Sequence, residues 1–162
     1  MKYVNFCLAA LFLLSLTLGA SKTDKPSVGY YPGEQIPNFA LNDAFGKRLD
    51  LDSYKGKKVV INFWAAYDAP SRATNVLLND MLKSHRDLVF LSVSFDENRT
   101  VFEKTVRWDN IEPHSQFCDA NGSKSKLYKE FKLNKGFKSY LIDENGVIVA
   151  MNVSPEKLES VL

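Results

Sequence analysis

The sequence predicts an α/β sandwich: a central mixed β-sheet flanked by helices on both faces. Three observations carry that prediction. VVINFW (59–64) and LVFLSVSF (88–95) are short, β-branched and dominated by apolar residues, as strands covered on both faces are. Each is followed by a stretch that reads as a helix, over 69–85 and 98–108. Near the end, Glu144-Asn145-Gly146 separates the apolar runs SYLID and VIVAMNV, the strongest short-range sign of a β-hairpin. Strand–helix–strand units closed by a hairpin and a helix give a sheet with both parallel and antiparallel members.

Each element has its own local reason. IPNFALND (36–43) and GKRLDLDSYKGK (46–57) read as extended segments with turns at Gly46 and Gly56. In the first long helix Ala73, Val76, Leu77 and Met81 recur at i, i+3, i+4 and i+8, which predicts one buried apolar stripe. A short strand is expected near 115–118. Ser123 is expected to cap a helix that turns Leu127, Tyr128 and Phe131 inward. Ser154-Pro155-Glu156 supplies a cap, a first-turn proline and an acid at the positive helix end, so a last helix is expected from there to Leu162.

The first twenty residues are of another kind. Lys2 precedes the uncharged apolar run FCLAALFLLSLTLGA (6–20), which ends in small residues. This is the pattern of a secretory signal peptide cleaved after Ala20, with an uncleaved N-terminal membrane anchor as the alternative. SKTDKPSVGYYPGE (21–34) reads as a polar, flexible tether. One domain is therefore expected over 35–162, exported to the periplasm or cell envelope.

Charge and cysteine count narrow the function classes. Lys plus Arg number 21 against 19 acidic residues, a net charge of +2, which gives no electrostatic argument for nucleic acid, a partner that needs a clustered basic face. Cys7 falls in the apolar leader, so the exported chain would keep Cys118 alone. One thiol cannot cycle between dithiol and disulfide within a chain. His85 and His114 lack ligand-like neighbours, so no metal site and no cofactor are expected. Asn98, Asn121 and Asn152 match the glycosylation pattern, and the resemblance given below, to bacterial exported proteins, implies that these matches are chance.

Three stretches, IPNFALNDAFGKRLDLDSYKGKKVVINFWA at the start, FCDANGSKSKLYKEFKL in the middle and YLIDENGVIVA in the closing hairpin, carry a family likeness. Through them the chain, from Ile36 to about Leu158, resembles the extracytoplasmic TlpA/ResA-like thiol-disulfide oxidoreductase branch of the thioredoxin superfamily, which is related to AhpC/TSA proteins. The resemblance implies a thioredoxin-like fold. The family's active site reads Trp-Cys-x-x-Cys-Arg after the strand; the matching positions here are Tyr67, Asp68, Ala69, Pro70, Ser71 and Arg72. The family's chemistry needs a low-pKa thiolate at the helix start and a second thiol to resolve the mixed disulfide. Neither Asp68 nor Ser71 can supply one. The family's cis-proline position corresponds to Phe137, where a trans bond is expected.

Asp68 and Ser71 read as a helix cap, with a general base or metal ligand as the sharper alternative for Asp68. Arg72 is expected to be solvated or to pair locally. Tyr67 and Phe137, with Trp64 unless its strand buries it, are candidates for an apolar binding patch. Cys118 reads as an inert buried thiol, or alternatively as a single reactive thiol. The sequence thus points to an exported monomer that is a non-catalytic module for a protein or peptide partner in the cell envelope. The alternative is a redox protein using Cys118.

Overall fold

The computed structural model describes residues 25–43 and 45–160. The expected signal peptide and the start of the tether lie outside the described residues. The central sheet has five strands: β3 (Lys58–Trp64), β4 (Leu88–Ser94), β5 (Gln116–Cys118), β6 (Ser139–Ile142) and β7 (Ile148–Met151), in the order β5-β4-β3-β6-β7. β3 pairs parallel with β4 and antiparallel with β6. A separate hairpin, β1 (Ala40–Asn42) and β2 (Arg48–Asp50), precedes it. The helices are α1 (Ala69–Leu82), α2 (Arg99–Trp108), α3 (Lys126–Glu130) and α4 (Pro155–Glu159).

β3 is buried from Val59 to Trp64, which explains its unbroken apolar run. Successive side chains point to opposite faces. Val59, Ile61 and Phe63 enter the main core with Leu91, Val93, Tyr140 and Ile142. Phe131 centres that core, with its ring 4.9 Å from Phe63, 5.1 Å from Tyr30, 5.7 Å from Phe39 and 5.8 Å from Tyr140. On the other face Val60 packs with Leu78, Leu141, Ala150 and Leu158, and Trp64 with Phe102, Val106, Ile111 and Cys118. The closing hairpin turns where Asn-Gly predicts it. Asp143 Oδ1 accepts the Asn145 and Val147 N–H groups, and Gly146 adopts φ +81°, a left-handed conformation that glycine takes at little cost.

The face that α1 buries differs from the expected stripe. Ala73 and Leu77 are exposed, Val76 and Met81 are half-buried, and the helix buries Ser71, Asn75, Leu78 and Asn79. The reason lies across the interface. The sheet presents buried Asn62, Ser92 and Gln116 to this helix, and Asn75 satisfies all three. Its Oδ1 accepts from Asn62 Nδ2 at 3.2 Å and from Ser92 Oγ at 2.6 Å, while its Nδ2 donates to Gln116 Oε1 at 3.1 Å. Asn79 Oδ1 accepts the Glu112 N–H at 3.0 Å. A buried polar group costs little only when it is paired, so Asn75 and Asn79 turn inward beside Leu78, and Ala73 and Leu77 are left outside.

Three smaller differences share the same logic of partnering. α1 ends at Leu82, and residues 83–85 close in turns onto Asp80, Met81 and Leu82. Ser125, not Ser123, caps α3: its Oγ faces the Tyr128 N–H and donates to Asp119, while Ser123 sits in the preceding 3₁₀ turn. The expected tether is docked from Val28 onward. Gln35 bridges Val28 and Val147, Ile148 N–H donates to Glu34 O at 2.8 Å, and Gly33 N–H donates to Ile148 O at 2.9 Å. That pairing covers the start of the free edge of β7 at Ile148, part of a surface that otherwise invites association. Ser154 caps α4 as expected; the continuation to Leu162 lies outside the described residues.

Replacing Asn75 by alanine leaves three buried polar groups without their partner, at about 1–3 kcal/mol each before relaxation. We predict that Asn75→Ala lowers the urea midpoint by the equivalent of about 3 kcal/mol, whereas Leu77→Ala stays within about 0.5 kcal/mol. Equal losses in the two variants would show that the network contributes nothing special.

Candidate functional site

β3 and β4 end level, with Trp64 opposite Ser94, so the loops that follow them meet at one end of the sheet. Carboxyl ends of parallel strands are where α/β folds gather binding groups. The loop after β3 leads into α1 through Asp68, whose extended backbone places Oδ1 2.9 Å from the Ser71 N–H. Ser71 Oγ donates to Asp68 O at 3.1 Å and accepts the Ala65 N–H at 3.4 Å. Ala69 and Pro70 form the first turn of the helix. Asp68 and Ser71 thus form a closed cap, as the residue types imply. No three His, Cys, Asp or Glu side chains converge as a metal set among the described residues.

Arg72 does not pair locally. Its guanidinium makes a two-point ion pair with Asp109, Nε to Oδ2 at 2.7 Å and a terminal nitrogen to Oδ1 at 2.6 Å. Asp109 caps the carboxyl end of α2, where a carboxylate opposes the helix dipole. Arg72 neutralises it and ties α1 to α2, a partner invisible in the local sequence.

Phe137 follows Gly136, and no cis peptide bond occurs among the described residues. Its half-buried ring stacks on Phe95 at 6.2 Å, meets Tyr128 edge-on at 6.1 Å and reaches Tyr67 at 6.3 Å. Tyr67 stands on this base and is 69% exposed. Trp64 is fully buried and takes no part in the patch. Strand alternation points it toward α2, against Phe102. Tyr128 takes its place beside Phe137.

Two grooves flank Tyr67 and Phe137. One, of about 380 Å³, runs between Asp68, Pro70 and Ser71 on one bank and Gly136, Phe137 and Lys138 on the other. The second, of about 620 Å³, lies between Tyr67 and α2, with Asp96 and Trp108 among its lining residues. Asp96, Tyr128 and Trp108 were not evident as site residues in the sequence. The one available sign was the position of Asp96 at the carboxyl end of a buried strand. Partial burial first, then Tyr128 and the carboxylates of Asp96, Asp68 and Glu97, raise the Tyr67 phenol above its ordinary pKa. Tyr67 therefore stays neutral in an acidic neighbourhood.

Cys118 lies on β5, wholly buried, with Sγ 3.4 Å from Asp96 O. Burial, followed by the charges of Asp96, Asp43 and Asp119, pushes its thiol up from 9.0 to about 12. Reactive cysteines show the opposite, a lowered pKa in an accessible electropositive setting. Cys118 lines neither groove.

Residues 32–151 match the AhpC/TSA family, and with the fold described above this defines the chain's class. The chain belongs to the AhpC/TSA family and to the TlpA/ResA-like branch of the thioredoxin superfamily. It is 29% identical over 137 residues to the thioredoxin-like protein YneN of Bacillus subtilis (strain 168), covering 80% of this chain and 75% of that one. It is 25% identical over 131 residues to the thiol-disulfide oxidoreductase ResA of Bacillus cereus (strain ATCC 10987 / NRS 248), covering 80% and 71%. Among solved structures, a thioredoxin-like protein from Parabacteroides distasonis ATCC 8503 superposes with a TM-score of 0.72 at 39% identity, covering 85% of this chain and 98% of that one.

Two outcomes follow from the cap and the thiol. Asp68→Ala should destabilise the fold by about 1 kcal/mol in denaturant titration; no change would remove the cap from the account. Cys118 in the native protein should stay unlabelled by a disulfide reagent at about pH 8, where denatured protein reacts at once. Because Cys118 and Tyr140 are raised from 9.0 and 10.0 to about 12 in the folded state, the unfolded chain releases these protons first. Stability should therefore be intact below pH 9 and fall as pH rises from 9 toward 12. A stability that holds level across that window would contradict the burial of these groups.

Proposed function

We propose that this is an exported, non-catalytic thioredoxin-like protein that binds a protein or peptide partner in the cell envelope. Its binding face comprises Tyr67 to Arg72 and Phe137. The observation that carries this reading is the helix start itself. Where the family's chemistry needs two thiols, Asp68 and Ser71 are engaged in a complete cap, yet an exposed tyrosine on an aromatic base still stands beside an open groove. Export is supported by the basic and apolar pattern of residues 1–20.

The competing reading, a redox protein using Cys118 alone, is disfavoured by the burial of that thiol and its elevated pKa. An insulin-reduction assay separates the two. Wild type and Cys118→Ser are both expected at background, while Asp68→Cys/Ser71→Cys, which restores the two-cysteine spacing at a helix N-terminus, should gain dithiol reductase activity. Wild-type turnover that vanishes in Cys118→Ser would overturn the proposal. Crosslinking capture from the native envelope should lose partners when Tyr67 and Phe137 are both replaced by alanine, and an unchanged partner set would reject this face.

A further inference from the structure

The second groove has a chemistry of its own. Asp96 lies two residues past the end of β4 and is only 4% exposed. Its carboxylate accepts the Ala66 N–H, 3.0 Å from each oxygen, and the Ser94 hydroxyl at 2.7 Å. These bonds hold the charge in place without neutralising it. Glu97 follows it on the groove lining. Neither acid takes part in the salt bridges of the described residues. Arg72, the basic residue that also lines the groove, is bound on two points to Asp109.

The walls are aromatic and open. Trp108 is 76% exposed and Tyr67 69%. Val101, one heptad before Trp108 on α2, is exposed too, and residues at that spacing share a helix face. Both rings line the groove, and Trp and Tyr are the residue types that anchor partners most often.

We propose that this groove binds a lysine or arginine side chain of a peptide segment. The aliphatic stem would lie along Tyr67 and Trp108 and the cation would meet Asp96 and Glu97. The charge of the groove selects the occupant: two carboxylates with no free basic group repel an acidic side chain and gain nothing from a neutral one. The aromatic walls attract a cation through their ring faces and cover its stem. This assignment rests on the binding-module reading and names the chemistry of its partner.

The test uses blocked pentapeptides of sequence Gly-Ala-X-Ala-Gly, with X as Lys, Arg, Gln or Glu, titrated into the protein. The readouts are backbone amide shifts and tryptophan fluorescence. Trp64 is fully buried and Trp108 largely exposed, so a quencher-accessible tryptophan signal reports Trp108. The Lys and Arg peptides should move signals at Tyr67, Glu97 and Trp108 and bind at least about tenfold more tightly than the Gln and Glu peptides. Added salt should weaken that preference. The exposed variants Glu97→Gln and Trp108→Ala should each reduce it, which avoids reliance on the buried Asp96→Asn.

Binding that ignores X and is lost only in Tyr67→Ala/Phe137→Ala would overturn this inference and leave the binding-module reading standing. Charge-selective binding that survives Phe137→Ala and fails in Glu97→Gln would support it and reject the Phe137 face. No binding by any of the four peptides would overturn it as well, while the envelope capture judges the broader reading independently.

Discussion

The structure depends on the pairing of β3 with neighbours on both sides. β3 bonds to β4 along its whole length and to β6 from Val59 to Asn62, and both of its faces are covered. Backbone groups that deep in the protein must be paired, and a strand with two partners satisfies them all. From that strand the rest takes position. Phe63 anchors the aromatic core around Phe131, Trp64 seats α2, and the level ends of β3 and β4 bring Asp68, Tyr67 and Asp96 to one surface.

The same geometry explains how a site of this fold keeps its shape without thiols. A helix start needs acceptors for its unpaired N–H groups. Asp68 Oδ1 provides one to the Ser71 N–H, while Ser71 Oγ braces the preceding loop through Asp68 O and the Ala65 N–H, so the helix start is capped without a thiol. Arg72 then secures the helix to α2 through Asp109. The resulting face carries Tyr67 on Phe137, with the groove lined by Asp96 and Glu97 beside it.

Much of this was legible in the residues. The strands, the Asn145-Gly146 hairpin, the Ser154 cap and the Asp68 cap follow from local patterns that act within a few positions. The misread features were those set by distant partners. Hydrophobic periodicity assigned Leu77 to the core, while the packing gave that face to Asn75 because Asn62, Ser92 and Gln116 wait across the interface. Ser123 and Ser125 are equivalent as cap residues, and the hydrogen bond from Ser125 to Asp119 separates them. The turn-rich stretch around Gly33 read as a tether because its partner, Ile148, lies more than a hundred residues away.

The sequence by itself determined the α/β architecture, the family, and the presence of the cap residues Asp68 and Ser71, with no cysteine, at the helix start. Each is a property of residue identity or short-range order. Only the tertiary structure decided which side of α1 is buried, that Arg72 closes on Asp109, that Cys118 is sealed with its thiol near pKa 12, and that Asp96, Tyr67 and Trp108 share a groove. These depend on which polar and charged groups meet across packed elements. A buried polar group is costly without a partner, and that partner is chosen by the fold, not by neighbours in the chain.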